Sequence, residues 1–158
     1  MRAWFDKFLG ERGLWKAAFG KMGTIPKEGS TARQTTVDDM RAAVDWVAKE
    51  NGRDGSPLKG KIAVDKIAVM GQSCGGFLSL AMGQDPRVKT IGVFNSGVQK
   101  APTTWPTEGD LPKLHGPVLL INGHEPDFMM QASRETFDKI NNLPVFYGAR
   151  HNAGHTAT

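Results

Sequence analysis

The segment Gly71-Gln72-Ser73-Cys74-Gly75-Gly76 matches the pattern G-x-S-x-G, with the β-prone run Lys66 to Met70 before it and the apolar run Phe77 to Met82 after it. The bare pattern is common; the strand and helix around it give it weight. In that setting the serine sits on a tight strand-to-helix turn that lifts its hydroxyl clear of the sheet. Gly71 and Gly75 are read as the room that lets strand and helix approach, where a Cβ would collide. The turn also aims the first N–H groups of the helix, including that of Cys74, at the atom under attack. A developing oxyanion would then meet a helix amino terminus. For Cys74 the backbone carries the interest, and its thiol reads as a small buried side chain.

A serine hydroxyl is a poor nucleophile until a base takes its proton. The histidines are His115, His124, His151 and His155. Where a nucleophile stands on such a turn, its partners follow in the chain order serine, acid, histidine, each after a later strand. Only His151 and His155 follow the last expected strand. His155 is preferred, because its small neighbours in Gly154-His155-Thr156 let the ring swing over the turn, whereas His151 reads as a solvated loop residue. The acid should follow strand Val118 to Ile121, where Glu125 and Asp127 both qualify. Asp127 is favoured: Pro126 fixes the turn before it, and a helix begins directly after it. Its plainer reading is a helix cap. His115 and His124 take no part in this scheme. The spacing of His124, Glu125 and Asp127 matches no defensible metal-ligand pattern, so neither a metal nor a cofactor is expected.

The elements that must position these groups can be read from periodicity. Thr36 can cap a helix with Asp38 and Asp39 in its first turn, with Met40, Ala43, Val44 and Val47 as its buried face, Trp46 at the margin, and Asn51-Gly52 as its stop. Beyond a turn-rich connector come strand Lys66 to Met70, the helix after the serine, and strand Thr90 to Phe94. The Pro-rich segment Ala101 to Pro117 reads as a connector, with a substrate-covering flap as the other option. Strand Val118 to Ile121, helix Met129 to Ile140 and strand Leu143 to Tyr147 complete the series. Apolar strands alternating with helices predict an α/β fold, a mostly parallel sheet of about four strands with helices on both faces. Met1 to Met22 spaces Trp4, Phe5, Phe8 and Leu9, then Leu14, Trp15, Ala18, Phe19 and Met22, at helical intervals, with Gly10 and Gly13 weakening the middle. It reads as packing surface, with a surface-binding amphipathic helix as the weaker option. Gly23 to Thr35 reads as loop.

With 158 residues, 39% of them hydrophobic and 23% charged, the chain suits one domain with a real core. Residues 1–35 form an atypical lead-in, and 36–158 carry the elements above. The net charge is +4, from 20 basic and 16 acidic residues. The basic residues are scattered, so no nucleic-acid partner is expected. The single cysteine excludes an internal disulfide framework. No apolar run is long enough to span a bilayer, and Asp6, Lys7, Glu11 and Arg12 interrupt any signal-peptide pattern. A cytoplasmic address is the default expectation, with secretion if the chain belongs to a longer precursor.

With turn, acid and histidine assigned, the chain from about Val37 to Thr158 resembles the α/β-hydrolase superfamily, closest to its dienelactone-hydrolase-like and polyester-cleaving branches. The pieces that carry the resemblance are Asp45-Trp46, Gly71 to Gly76, Asp85-Pro86-Arg87-Val88, Asn95-Ser96-Gly97 and Gly154-His155. It implies Ser73 as nucleophile, Asp127 as orienting acid, His155 as base and the Cys74 N–H as one oxyanion donor. Members of the superfamily carry several strands before the nucleophile strand, and a loop among them supplies the second oxyanion donor. Nothing in Met1 to Thr36 reads as those strands. The expectation is therefore the later part of such a fold, with one bare strand edge that invites a second copy of the chain. A missing oxyanion donor costs on the order of 100- to 1,000-fold in rate. Two functions follow: an esterase acting on a small or polymeric ester, or a hydrolase-like module without turnover.

Overall fold

The computed structural model describes residues 35–100 and 103–156. The chain divides between residues 34 and 35 into two units, and every described residue belongs to the second. The helical stretch expected over Met1–Met22 and, Thr35 apart, the loop from Gly23 lie outside the described residues.

Helix α1 spans Val37–Gly52 and starts as its sequence suggests. The Thr36 hydroxyl accepts from the Asp39 N–H at 3.3 Å, and Asp39 Oδ2 accepts from the Thr36 N–H at 2.8 Å, a reciprocal capping box. Its expected apolar face is only half realised. No residue of α1 is buried, Ala43 is exposed, Trp46 is 55% exposed, and Val37, Met40 and Val44 are partly buried against the core. The cause is its neighbour: α1 packs on the following helix rather than on the sheet, and a helix covers a narrower stripe than a sheet does.

Strand β1 (Ile67–Gln72), helix α2 (Cys74–Met82), strand β2 (Val88–Phe94), strand β3 (Val118–Gly123), helix α3 (Met130–Lys139) and strand β4 (Val145–Arg150) follow, with a 3₁₀ turn at Glu108–Lys113. The strands make one parallel sheet in the order β1-β2-β3-β4, flanked by helices. All four strands run beyond their expected ranges; β2 starts at Val88 rather than Thr90, and β3 continues through Asn122 and Gly123. β1 extends through Gly71 and Gln72, paired with Val93 and Phe94, and β4 extends to Arg150 opposite Gly123. The ends of β1 and β4 lack β-formers, so pairing with the neighbouring strand carries them.

The register aligns Val69 with Ile91 and Val118, and Val93 with Leu120, on one face of the sheet, where all five are buried. Each such side chain contributes about 1.5–3 kcal/mol through burial. Helix α2 packs on β1 and β2, and α3 on β3 and β4. Right-handed crossovers in a sheet that grows in one direction lay both helices on the same face. The faces therefore differ: Met70 and Phe146, pointing the other way, are 55% and 61% exposed. The expected parallel sheet flanked by helices is present among the described residues.

From Thr103 onward the Pro-rich segment is an anchored connector. Leu111 and Leu114 are buried, and the Gln99 N–H donates to the Pro106 carbonyl at 2.8 Å. Arg87 joins Asp85, at 2.7 Å, and Asp45 of α1, so it ties α1 to the turn before β2. Hydrogen bonding from that guanidinium brings the Asp85 carboxyl down to about 2.

The glycines around the serine divide their work differently from the expectation. A Cβ at Gly71 would lie 2.3 Å from the backbone carbon and oxygen of Gly75, and one at Gly76 would lie 2.4 Å from the Ser96 Cβ. At Gly75 a Cβ meets nothing within 4 Å. Gly75 is approached through its own backbone, so the room is needed at positions 71 and 76. Gly71→Ala, which forces backbone atoms apart, is expected to lower stability by about 3 kcal/mol or more. Gly75→Ala is the control expected to fold. Urea midpoints check this, and a Gly71→Ala variant as stable as wild type would refute the close approach.

Candidate active site

Ser73 follows β1 directly as the N-cap of α2, with φ 56° and ψ −119°. A non-glycine residue there stores strain, of order 1–3 kcal/mol, and persists only where its surroundings hold it. The Ser73 N–H donates to the Phe94 carbonyl at the end of β2 at 2.9 Å. Its own carbonyl accepts from the N–H groups of Gly76 at 2.9 Å and Phe77 at 3.3 Å. The bend turns the hydroxyl away from the sheet.

Asp127 lies four residues past β3, in a turn closed by its own N–H to the His124 carbonyl at 2.8 Å. It is 3% exposed, and its carboxylate is surrounded by donors. Oδ2 accepts from the Asn95 amide at 2.7 Å, the Gly123 N–H at 3.1 Å and the Asn122 amide at 3.3 Å. Oδ1 accepts from the Met129 N–H at 3.0 Å. Burial pushes its pKa up, but the hydrogen bonds from Asn95, His155, Met129 and Gly123 outweigh burial and hold it below the ordinary carboxylate value. The helix-cap reading is thereby partly met, since Asp127 accepts the N–H of the residue that precedes α3.

His155 sits in the loop after β4. Asn152, at φ 56°, turns that loop, and buried Ala153 anchors it by accepting the His124 N–H at 3.1 Å. Gly123 makes the anchor feasible, because a Cβ there would stand 2.2 Å from the Ala153 oxygen. The Gln72 side chain donates to the His155 carbonyl at 2.8 Å, strapping the loop to the serine turn. The ring bridges the other two groups: Nδ1 is 2.9 Å from Asp127 Oδ1, and Nε2 is 2.9 Å from Ser73 Oγ. A carboxylate can only accept, so the ring proton belongs on Nδ1, leaving the Nε2 lone pair for the serine hydroxyl.

Thus Ser73, Asp127 and His155, far apart in sequence, meet in one hydrogen-bonded series. Glu125 and His151 are exposed and stand outside it, as does exposed His115; the His151 ring lies instead 5.3 Å from that of His124. The Cys74 N–H is at the first position of α2 and donates to nothing among the described residues. The Cys74 thiol is exposed, correcting the expectation of a buried one: the residue after the bend faces outward while Gly76 and Ser79 face the sheet. Among the described residues no group of three His, Cys, Asp or Glu side chains could hold a metal ion, and no helix is long and apolar enough to cross a membrane.

The sequence reading assigned no role to three residues that the structure places at the site: Gln72, Asn95 and Asn122. Gln72 occupies a position any residue can fill, and Asn122 sits inside an apolar strand. Asn95 carried a usable signal, an asparagine with a glycine two residues on at the end of a strand, where positive φ is expected. Beside the ring, Phe128 is 75% exposed, with its centroid 4.2 Å from that of His155. Two concavities, of about 250 and 220 Å³, are lined by Thr90, Leu119 and Phe146 and by His124, Arg134 and Tyr147 respectively. Neither is lined by Ser73.

No family model matches this sequence, and no curated protein is similar to it. Solved structures are. A dienelactone-hydrolase-like protein from Klebsiella pneumoniae superposes with a TM-score of 0.56 at 15% identity, over 76% of this chain and 49% of that one. A puromycin-hydrolyzing peptidase from Mycobacterium tuberculosis gives 0.57 at 16% identity, over 77% and 22%. The esterase domain of a Rhodothermus marinus protein gives 0.56 at 17% identity, over 78% and 60%. At these identities the likeness establishes the fold alone: the chain shares part of the α/β fold of these hydrolase structures. It spans between 22% and 60% of the length of the structures it matches.

Proposed function

We propose that this chain is a serine hydrolase that cleaves carboxylic esters through an acyl-enzyme on Ser73. The reading rests on one observation, the series from Ser73 Oγ through both His155 nitrogens to the Asp127 carboxylate, on a strained strand-to-helix turn. Ser73 Oγ attacks the ester carbonyl while His155 Nε2 takes its proton. Asp127 accepts the Nδ1–H throughout and steadies the imidazolium. The tetrahedral oxyanion accepts a hydrogen bond from the Cys74 N–H at the start of α2. His155 then gives its proton to the departing alcohol, and water repeats the cycle on the acyl-enzyme. Likeness to an esterase domain and to a dienelactone-hydrolase-like protein favours esters over amides, although the peptidase neighbour shares the fold.

A second reading is a hydrolase-like module that binds without turnover. It draws on the single oxyanion donor assigned among the described residues, the Cys74 N–H. A fluorophosphonate probe separates the two. It phosphonylates an activated serine, forming a P–O bond to Oγ as fluoride leaves and the base takes the proton. Wild-type protein is expected to gain the probe mass on the peptide holding Ser73, while heat-unfolded protein gains none. A folded chain that stays unlabelled sinks the esterase reading and leaves the second.

A further inference from the structure

Strand β2 lies between the strand that leads to the nucleophile and the strand that leads to the acid. Its last residue and the next one touch both. The Phe94 carbonyl holds the Ser73 N–H at 2.9 Å, and the Asn95 amide holds Asp127 Oδ2 at 2.7 Å. Asn95 is fully buried, and its backbone N–H donates to the Ile121 carbonyl of β3 at 2.9 Å. Its φ is 47°, one of three positive values among the described non-glycine residues, and another of the three is Ser73 itself.

We propose that Asn95 is a positioning residue that fixes the spacing of nucleophile and acid by holding the Asp127 carboxylate from the side opposite His155. The proposal rests on the esterase reading above and goes beyond its three residues. The residue type follows from what the position demands. The backbone needs a residue that tolerates left-handed φ, which asparagine, aspartate and glycine do at least cost. The carboxylate needs a neutral donor about two bonds from the backbone. Glycine has none, and aspartate would bring a second negative charge. Asparagine meets both demands. This hydrogen bond helps to hold the Asp127 carboxyl below its ordinary pKa against the effect of burial. With the Gly123 N–H and the Asn122 amide, Asn95 occupies Oδ2, leaving Oδ1 to the ring and the Met129 N–H.

Two variants test this by ester hydrolysis. Asn95→Gly keeps the backbone conformation and removes the donor, so kcat should fall about 10- to 100-fold with KM within about threefold. Asn95→Asp keeps the shape and sets two carboxylates together, which then share one proton. That proton replaces the lost donor at acid pH and leaves as pH rises, so the ratio of variant to wild-type kcat should fall with increasing pH. Among the described residues, His155 from its loop and Tyr147 from β4 are titratable groups near the pair, with the Arg134 charge on α3 beside Tyr147; all remain in both proteins. A purely structural role would change stability without a pH-dependent ratio. If Asn95→Gly fails to fold, the Asn95→Asp ratio decides alone. A flat ratio with kcat near wild type overturns the proposal, provided that activity depends on Ser73. Activity independent of Ser73 would instead overturn the esterase reading.

Discussion

Ser73→Ala is expected to cut hydrolysis of a chromogenic short-chain ester by on the order of 100,000-fold in kcat. The size follows from what the hydroxyl does. Without it no acyl-enzyme forms, and His155 is left with only water to activate across the gap where Oγ stood, so the Cys74 N–H has no oxyanion at the right distance. Backbone strain makes the variant informative in a second way. Alanine keeps the penalty of φ 56°, whereas Ser73→Gly relieves it. Ser73→Gly should therefore be equally inactive yet more stable than Ser73→Ala by about 1 kcal/mol, seen as a higher urea midpoint. Equal ester turnover by wild type and Ser73→Ala would end the assignment.

The second large effect belongs to Asp127→Asn, expected to lower kcat on the order of 10,000-fold. Its carboxylate accepts from five donors: Asn95, Asn122, Gly123, Met129 and the His155 ring. An asparagine brings an NH₂ into a shell made entirely of donors. Turned toward His155, that group pushes the ring proton to Nε2, where it blocks acceptance from Ser73. Turned inward, it confronts the Asn95 amide and Gly123 N–H, at about 1–3 kcal/mol for each donor left unmatched. The variant also tests the acid limit of stability. The folded-state pKa of Asp127 is depressed below its unfolded value of about 3.9. The stability it contributes is therefore complete above that pH and is lost as pH falls from there through the folded value. Urea midpoints measured from neutral to acid pH should decline less steeply below about pH 4 in Asp127→Asn than in wild type. Identical slopes, or kcat above about a tenth of wild type, would contradict the role drawn for this carboxylate.

Much of this arrangement was legible because few sequence solutions satisfy a serine lifted between strand and helix. Glycines close to the serine, an apolar run before it, and the order serine, acid, histidine led to Ser73, Asp127 and His155, the side chains the fold brings together. What escaped were features set by the partner rather than the segment. Gly71-Gln72 and Gly148 to Arg150 are strand only because a neighbour bonds to them. Gly75 shows no crowding of its own, since the crowding is measured at Gly71. Cys74 has a buried residue's composition but an exposed residue's place on the helix. Gln72 and Asn95 act on residues far away in sequence, and although the backbone position of Asn95 had a local signal, neither partner had one.

Each strand of the sheet bonds to the one made immediately before it, and none is inserted between earlier neighbours. Assembly can thus advance from one border to the other, closing only one crossover at each step, the least costly kind of loop closure. In the order of synthesis, the turn that carries Ser73 precedes the loop after β4 that carries His155. Until that loop docks, the nascent chain holds an alcohol with no base beside it. Under the proposed reading, hydrolysis therefore waits until β4 and its loop have docked on the first three strands.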